Sequence, residues 1–141
     1  RTRTWFTLPR ETSLGDDTVK VLIVDDEPLV RLSLRRALLK AGHQIEEADD
    51  GQSGLEKWQD FKPDLVFLDV LMPRLSGPDL LRALSKTDRA HSKVILMSAF
   101  TGEYDLERAQ SLGAHLFIPK PFEDIFAVVK AGEELALVGR A

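Results

Sequence analysis

The stretch Lys20-Val21-Leu22-Ile23-Val24-Asp25-Asp26-Glu27-Pro28 sets an apolar run directly against three acidic residues and a proline. A short run that is continuous, not alternating, suits a strand buried on both faces of a parallel sheet. Pro28 fits the first turn of a helix; Val30, Leu34, Ala37, Leu38 and Ala41 then share a face, and Gly42 stops it. The same alternation continues outward. Leu65-Val66-Phe67-Leu68 and Val94-Ile95-Leu96-Met97 are again continuous, Leu116-Phe117-Ile118 is shorter, and Gln44-Ile45-Glu46-Glu47-Ala48 is polar enough for an edge strand. Between them Gly51, Gly54, Leu55 and Trp58 share a face ahead of Pro63, and further helical segments fall at about 77–86, 103–112 and 122–136. The order βαβαβαβαβα predicts an α/β fold: a parallel sheet with right-handed crossovers and helices on both faces.

The 141 residues, 43% hydrophobic and 30% charged, fit one domain with a short appendage. Cysteine is absent, which excludes a disulfide framework, a thiolate metal site and a cysteine nucleophile. A net charge of -4 supplies no basic field for nucleic acid. No apolar run approaches the ~20 residues of a membrane span, and Arg1-Thr2-Arg3-Thr4-Trp5 lacks the apolar stretch of a secretion signal. The expectation is a soluble, cytoplasmic domain without membrane contact. Its first residue is Arg, which is expected of a domain cut from a longer chain. Residues 1–18 read as an N-terminal extension with a polar linker at its end, and residues 19–141 as the domain.

In a doubly wound sheet the chemistry collects beyond the carboxyl ends of the strands. Asp25, Asp26 and Glu27 follow the first run, Asp69 the third, Ser98 the fourth, and Lys120 with Pro121 the fifth. An Asp after a strand commonly caps a helix or closes a turn, but four strand ends carrying complementary groups are poorly explained that way. Clustered carboxylates repel and raise a pKa unless a cation intervenes. With no Cys, and no His at these strand ends, the hard divalent ion Mg²⁺ suits the donors better than zinc or copper. Lys120 offers a point charge for an anionic oxygen and Ser98 a short hydroxyl. A site of this kind can stabilise phosphoryl transfer to a carboxylate. His43, His91 and His115 stand apart and are expected to be ordinary surface or turn residues; Met72 beside Pro73 is expected to pack.

These residues resemble the receiver domains of two-component response regulators. The resemblance runs from Lys20 to about Leu137. It rests on Val21–Pro28, on Asp64–Pro73 with Gly77, on Leu96-Met97-Ser98-Ala99, and on Gly113-Ala114 followed by Lys120-Pro121-Phe122. Spacings of 43 residues from Asp26 to Asp69, 29 on to Ser98 and 22 on to Lys120 match it. The resemblance implies a flavodoxin-like sheet of strand order 2-1-3-4-5 and a cis Lys120-Pro121 peptide. It implies that Asp69 is the phosphoacceptor, taking a phosphoryl group from a phosphohistidine on a partner histidine kinase or histidine phosphotransfer domain. Asp25, Asp26 and Asp69 with the carbonyl of Leu71 would hold Mg²⁺. Ser98 and Lys120 would hold the phosphoryl group, and Phe117 would be the aromatic switch that turns inward once Ser98 moves. The chain would catalyse only its own phosphorylation and dephosphorylation. Leu71 and Phe100, both apolar, would slow hydrolysis of the phosphoaspartate.

Two other readings remain: a receiver-fold interaction module without phosphoryl transfer, and a Mg²⁺-dependent phosphatase or dehalogenase. The second wants a carboxylate two residues after the nucleophile, where Leu71 stands, and a cap insertion that is not present. Thr2-Arg3-Thr4-Trp5-Phe6-Thr7-Leu8-Pro9 resembles the last strand of a histidine-kinase ATP-binding domain, which would make this the carboxy-terminal receiver of a hybrid sensor kinase; a plain linker is the alternative. Glu103, Asp105, Glu107 and Arg108 serve equally well as a homodimer face or a solvated one.

Overall fold

A computed structural model describes residues 17–99 and 102–138 of the chain. The expectations for the strand at Thr2–Pro9, for most of the extension 1–18 and for Phe100 lie outside the described residues. The elements are β1 Lys20–Val24, α1 Pro28–Lys40, β2 Gln44–Ala48, α2 Gly51–Phe61, β3 Leu65–Asp69, α3 Gly77–Ala83, α4 Lys86–His91, β4 Lys93–Ser98, α5 Leu106–Ser111, β5 Leu116–Pro119 and α6 Ile125–Leu137. All neighbouring strands are parallel, in the order β2-β1-β3-β4-β5. The flavodoxin-like order that the resemblance implied is therefore present, with β2 at an edge.

The continuous apolar runs are buried because the sheet is covered on both faces. Val21, Ile23, Leu65, Phe67, Ile95 and Met97 pack against Leu34 and Leu38 of α1 and Val128, Val129 and Ala136 of α6. Leu22, Val24, Val66, Leu68, Val94 and Leu96 pack against Trp58 of α2, Leu80 and Leu81 of α3 and Ala109 of α5. Each such aliphatic side chain contributes roughly 1.5–3 kcal/mol of burial. In β2 the side chains are partly exposed up to Ala48, as its polar composition requires at an edge.

Helix boundaries follow the caps. Pro28 occupies the first turn of α1, and Gly42 at φ +94° lets the chain leave it in the left-handed region. The single helix expected at about 77–86 is in fact two. Ser85 accepts a hydrogen bond from the N–H of Asp88 and starts α4, so α3 ends at Ala83 with Leu84 extended. The helix expected at 103–112 is shorter, because Asp105 caps it by accepting from the N–H of Arg108. Asp124 does the same for α6.

Candidate functional site

Asp25 follows β1, Asp69 ends β3, Ser98 ends β4 and Lys120 follows β5, so all four lie at the carboxyl edge of the sheet. Register fixes their proximity. Asp69 pairs with Met97, one residue before Ser98, and Ser98 pairs with Pro119, one residue before Lys120. The N–H of Lys120 donates to the Ser98 carbonyl at 2.9 Å. The Lys120-Pro121 peptide is cis, as the resemblance implied. Behind Asp69 the chain is tightly folded: the N–H of Gly77 donates to the Val70 carbonyl at 2.9 Å, and a Cβ at Gly77 would stand 2.4 Å from the Asp69 carbonyl oxygen. A side chain there would push the β3–α3 connection off the acidic residue, which gives Gly77 a packing reason.

Lys120 is the hub. Its Nζ lies 2.8 Å from Glu27 Oε1, 3.0 Å from Asp25 Oδ2 and 3.2 Å from Asp69 Oδ1, with 8% of its side chain exposed. Two of these contacts are hydrogen bonds, to Glu27 and Asp25, and the third is an ion pair with Asp69. Asp25 is fully buried; its Oδ1 accepts from the N–H of Glu27 at 2.9 Å. Burial raises its carboxyl above the ordinary range, against the pull of that N–H and of Lys120. Asp69 is 5% exposed; burial first, then the charge of Asp25, pushes its carboxyl up to about 7 despite Lys120. Burial works against the charge on Lys120, but its hydrogen bonds to Glu27 and Asp25 prevail and hold the ammonium above its usual range.

Asp25, Asp26 and Asp69 each place a carboxylate oxygen within 4.8 Å of the others. An all-oxygen set with two buried carboxyls, both raised above the ordinary range first by burial, fits a hard divalent cation. Ser98 is buried. Phe117 is half-buried, paired with Leu96 and packed on the α5 side of the sheet with Tyr104 and Leu112. The Leu71 side chain is 55% exposed beside the site.

Two residues at this edge lacked a sequence role. Glu27 shares Lys120, 93 residues away, and Arg31 donates from Nη1 to the Asp25 carbonyl at 2.7 Å while its Nε meets Glu47 at 3.2 Å. Arg31 lies one turn into α1, which is the only hint the sequence carried. Of the histidines, His43 departs from expectation. His43 is buried: Nδ1 accepts from the Val19 N–H at 3.2 Å, and Nε2 stands 2.7 Å from Glu133. His115, half-buried, accepts from the Val94 N–H at 3.0 Å; burial, with the charge of Lys93, holds it below its usual pKa. Only His91 is an exposed residue, 3.4 Å from Asp64.

A family model described as the response regulator receiver domain matches residues 21–130. The chain is 37% identical over 105 residues to the chemotaxis protein CheY of Thermotoga maritima, covering 74% of this chain and 87% of that protein. It is 36% identical over 115 residues to the response regulator MprA of Mycolicibacterium vanbaalenii, covering 80% of this chain and 49% of MprA, so it spans about half that relative's length. Among solved structures, the chemotaxis response regulator CheY4 of Vibrio cholerae superposes with a TM-score of 0.75 at 26% identity, covering 84% of this chain and 98% of that one. NtrX from Brucella abortus gives 0.72 at 31% identity, covering 84% of this chain and 27% of that one. Among the described residues no helix is long and apolar enough to cross a membrane.

Proposed function

We propose, for a chain that belongs to the response regulator receiver domain family, that Asp69 is the residue that accepts the phosphoryl group. The observation that carries this reading is the Asp69 carboxyl, buried at the strand edge, 3.2 Å from the Lys120 ammonium and within a three-carboxylate cluster. One Asp69 oxygen attacks the phosphorus of a phosphohistidine on a histidine kinase or histidine phosphotransfer domain. The oxygen–phosphorus bond forms as the nitrogen–phosphorus bond breaks, and the imidazole leaves neutral, keeping the proton on its other nitrogen. Asp25, Asp26 and Asp69, with the carbonyl of Leu71, would hold Mg²⁺, which supplies charge neutralisation to the transferring oxygens.

The chain's own residues do the rest. Lys120 neutralises Asp69 before transfer and bonds a phosphoryl oxygen after it. Ser98, buried at the end of β4, supplies a hydroxyl to a second oxygen. The phosphoryl group brings additional negative charge and new acceptor oxygens to the pocket. Ser98 and Lys120 thereby gain a partner, and Phe117 repacks, altering the face formed by α5, β5 and α6. A differential interaction of a few kcal/mol between two existing arrangements suffices for that shift. Burial of Asp69, Asp25 and Ser98 limits the approach of bulk water to the acyl phosphate.

Borohydride reduction after treatment with a small phosphodonor locates the acyl phosphate, because only a phosphorylated aspartate becomes homoserine. Peptide mapping should place homoserine at Asp69. Homoserine elsewhere, or none with the chain folded and Mg²⁺ present, contradicts the assignment.

A further inference from the structure

We propose that Glu27 is a positioning residue that holds Lys120 away from the phosphoryl group, so that it sets how tightly the site binds a phosphoryl-like anion. The proposal rests on the reading of Asp69 as phosphoacceptor. Of the three oxygens around Lys120 Nζ, Glu27 Oε1 is the nearest, at 2.8 Å, yet Glu27 is the one carboxylate of the three with a largely exposed side chain, at 59%. Asp25 and Asp69 are buried at the sheet edge, whereas Glu27 reaches in from the solvent side, from the N-cap position of α1, where its side chain makes no capping hydrogen bond. With hydrogen bonds to Asp25 and Glu27 and an ion pair to Asp69, Lys120 turns to a further phosphoryl oxygen only by loosening one of these contacts. Glu27 opposes that turn in two ways: it competes for the ammonium, and it adds a negative charge beside the arriving anion.

Its charge has the opposite effect on a cation. The three carboxylates around the Lys120 ammonium outnumber its charge and favour a divalent ion, and removing one of them weakens that attraction. Glu27→Gln should therefore move the two affinities in opposite directions. A residue that merely kept the loop in shape would, on substitution, weaken both.

The test uses the whole chain and two probes, Mg²⁺ alone and beryllofluoride at saturating Mg²⁺, each titrated by calorimetry. Glu27→Gln is expected to weaken Mg²⁺ binding and to tighten beryllofluoride binding, each by roughly 2–5-fold, the scale of a solvent-reached ion pair. Glu27→Asp keeps the charge but shortens the reach. It should retain the Mg²⁺ affinity of the native chain and still bind beryllofluoride more tightly. Native chain that binds beryllofluoride, with Glu27→Gln binding it equally or more weakly, overturns the positioning role alone. Native chain that binds none, and takes no phosphoryl group at Asp69, overturns the phosphoacceptor reading and this inference with it.

Discussion

At the amino ends of the strands, His43, Asp64 and His115 each accept a hydrogen bond from a backbone N–H: Val19 at 3.2 Å, Lys20 at 2.9 Å and Val94 at 3.0 Å. Nearby, Trp58 Nε1 donates to Ser92 Oγ at 2.9 Å, and Ser92 donates onward to the Pro63 carbonyl at 2.7 Å. At the carboxyl ends, Asp25, Glu27 and Asp69 share a single ammonium, and Asp69 is pushed up to about 7. The same sheet thus buries polar groups in two manners. A group with a dedicated partner stabilises the fold, whereas groups that must share one retain a repulsion that a bound cation or a proton relieves.

Removing the shared ammonium should have the largest effect. Lys120→Met leaves buried carboxylates unneutralised and is expected to cost about 3–5 kcal/mol at pH 8 by urea unfolding. At pH 5, where Asp69 is protonated, the cost should shrink. An equal cost at both pH values would mean that Lys120 acts through packing.

The opposite end should respond differently. Ser92→Ala orphans the buried Trp58 N–H and the Pro63 carbonyl, and His43→Ala orphans the Val19 N–H. Each is expected to cost about 1–3 kcal/mol. Phosphoryl uptake by the folded fraction should be unchanged, and a changed uptake would erase the distinction between the two ends.

Asp69→Asn should stabilise. The folded chain keeps the Asp69 proton up to about pH 7, whereas the unfolded chain releases it near 3.8, the ordinary value for an aspartate. Between those values the folded state binds more protons, so stability falls as pH rises through the window. The variant should flatten that fall and gain roughly 1–3 kcal/mol at pH 8, with no gain below pH 4. A stability curve that keeps its slope in the variant places the strain on another group. Mg²⁺ should stabilise the native chain by mass action, about 2.7 kcal/mol at a concentration 100 times its Kd.

The smallest stability change is expected at Leu71. Its exposed side chain contributes little to folding, so Leu71→Asn should stay within about 0.5 kcal/mol of the native chain. The lifetime of the phosphorylated form, followed by loss of the added mass, should shorten as water gains access. An unchanged lifetime would remove Leu71 from that role.

The division between the two ends also marks what was legible beforehand. Continuous runs such as Leu65–Leu68 announced buried parallel strands, because burial on both faces leaves no room for alternation. The convergence of Asp25, Asp69, Ser98 and Lys120 followed once strand ends were assigned, since a parallel sheet puts every carboxyl end on one edge. His43 is buried, although its sequence context suggests a surface or turn residue. Its partners, Val19 and Glu133, lie 24 and 90 residues away, and no local pattern encodes such a pairing. The reach of Glu27 to Lys120 was hidden for the same reason. The break between α3 and α4 was different, because Ser85 with Asp88 three residues later is a helix-start signal that stands in the sequence.

The most direct test of the central claim is the intact mass of the chain after incubation with a small phosphodonor, with and without Mg²⁺, beside Asp69→Asn. Uptake of one phosphoryl group that needs both the ion and Asp69 is expected. Equal uptake by Asp69→Asn, or uptake indifferent to Mg²⁺, would contradict it.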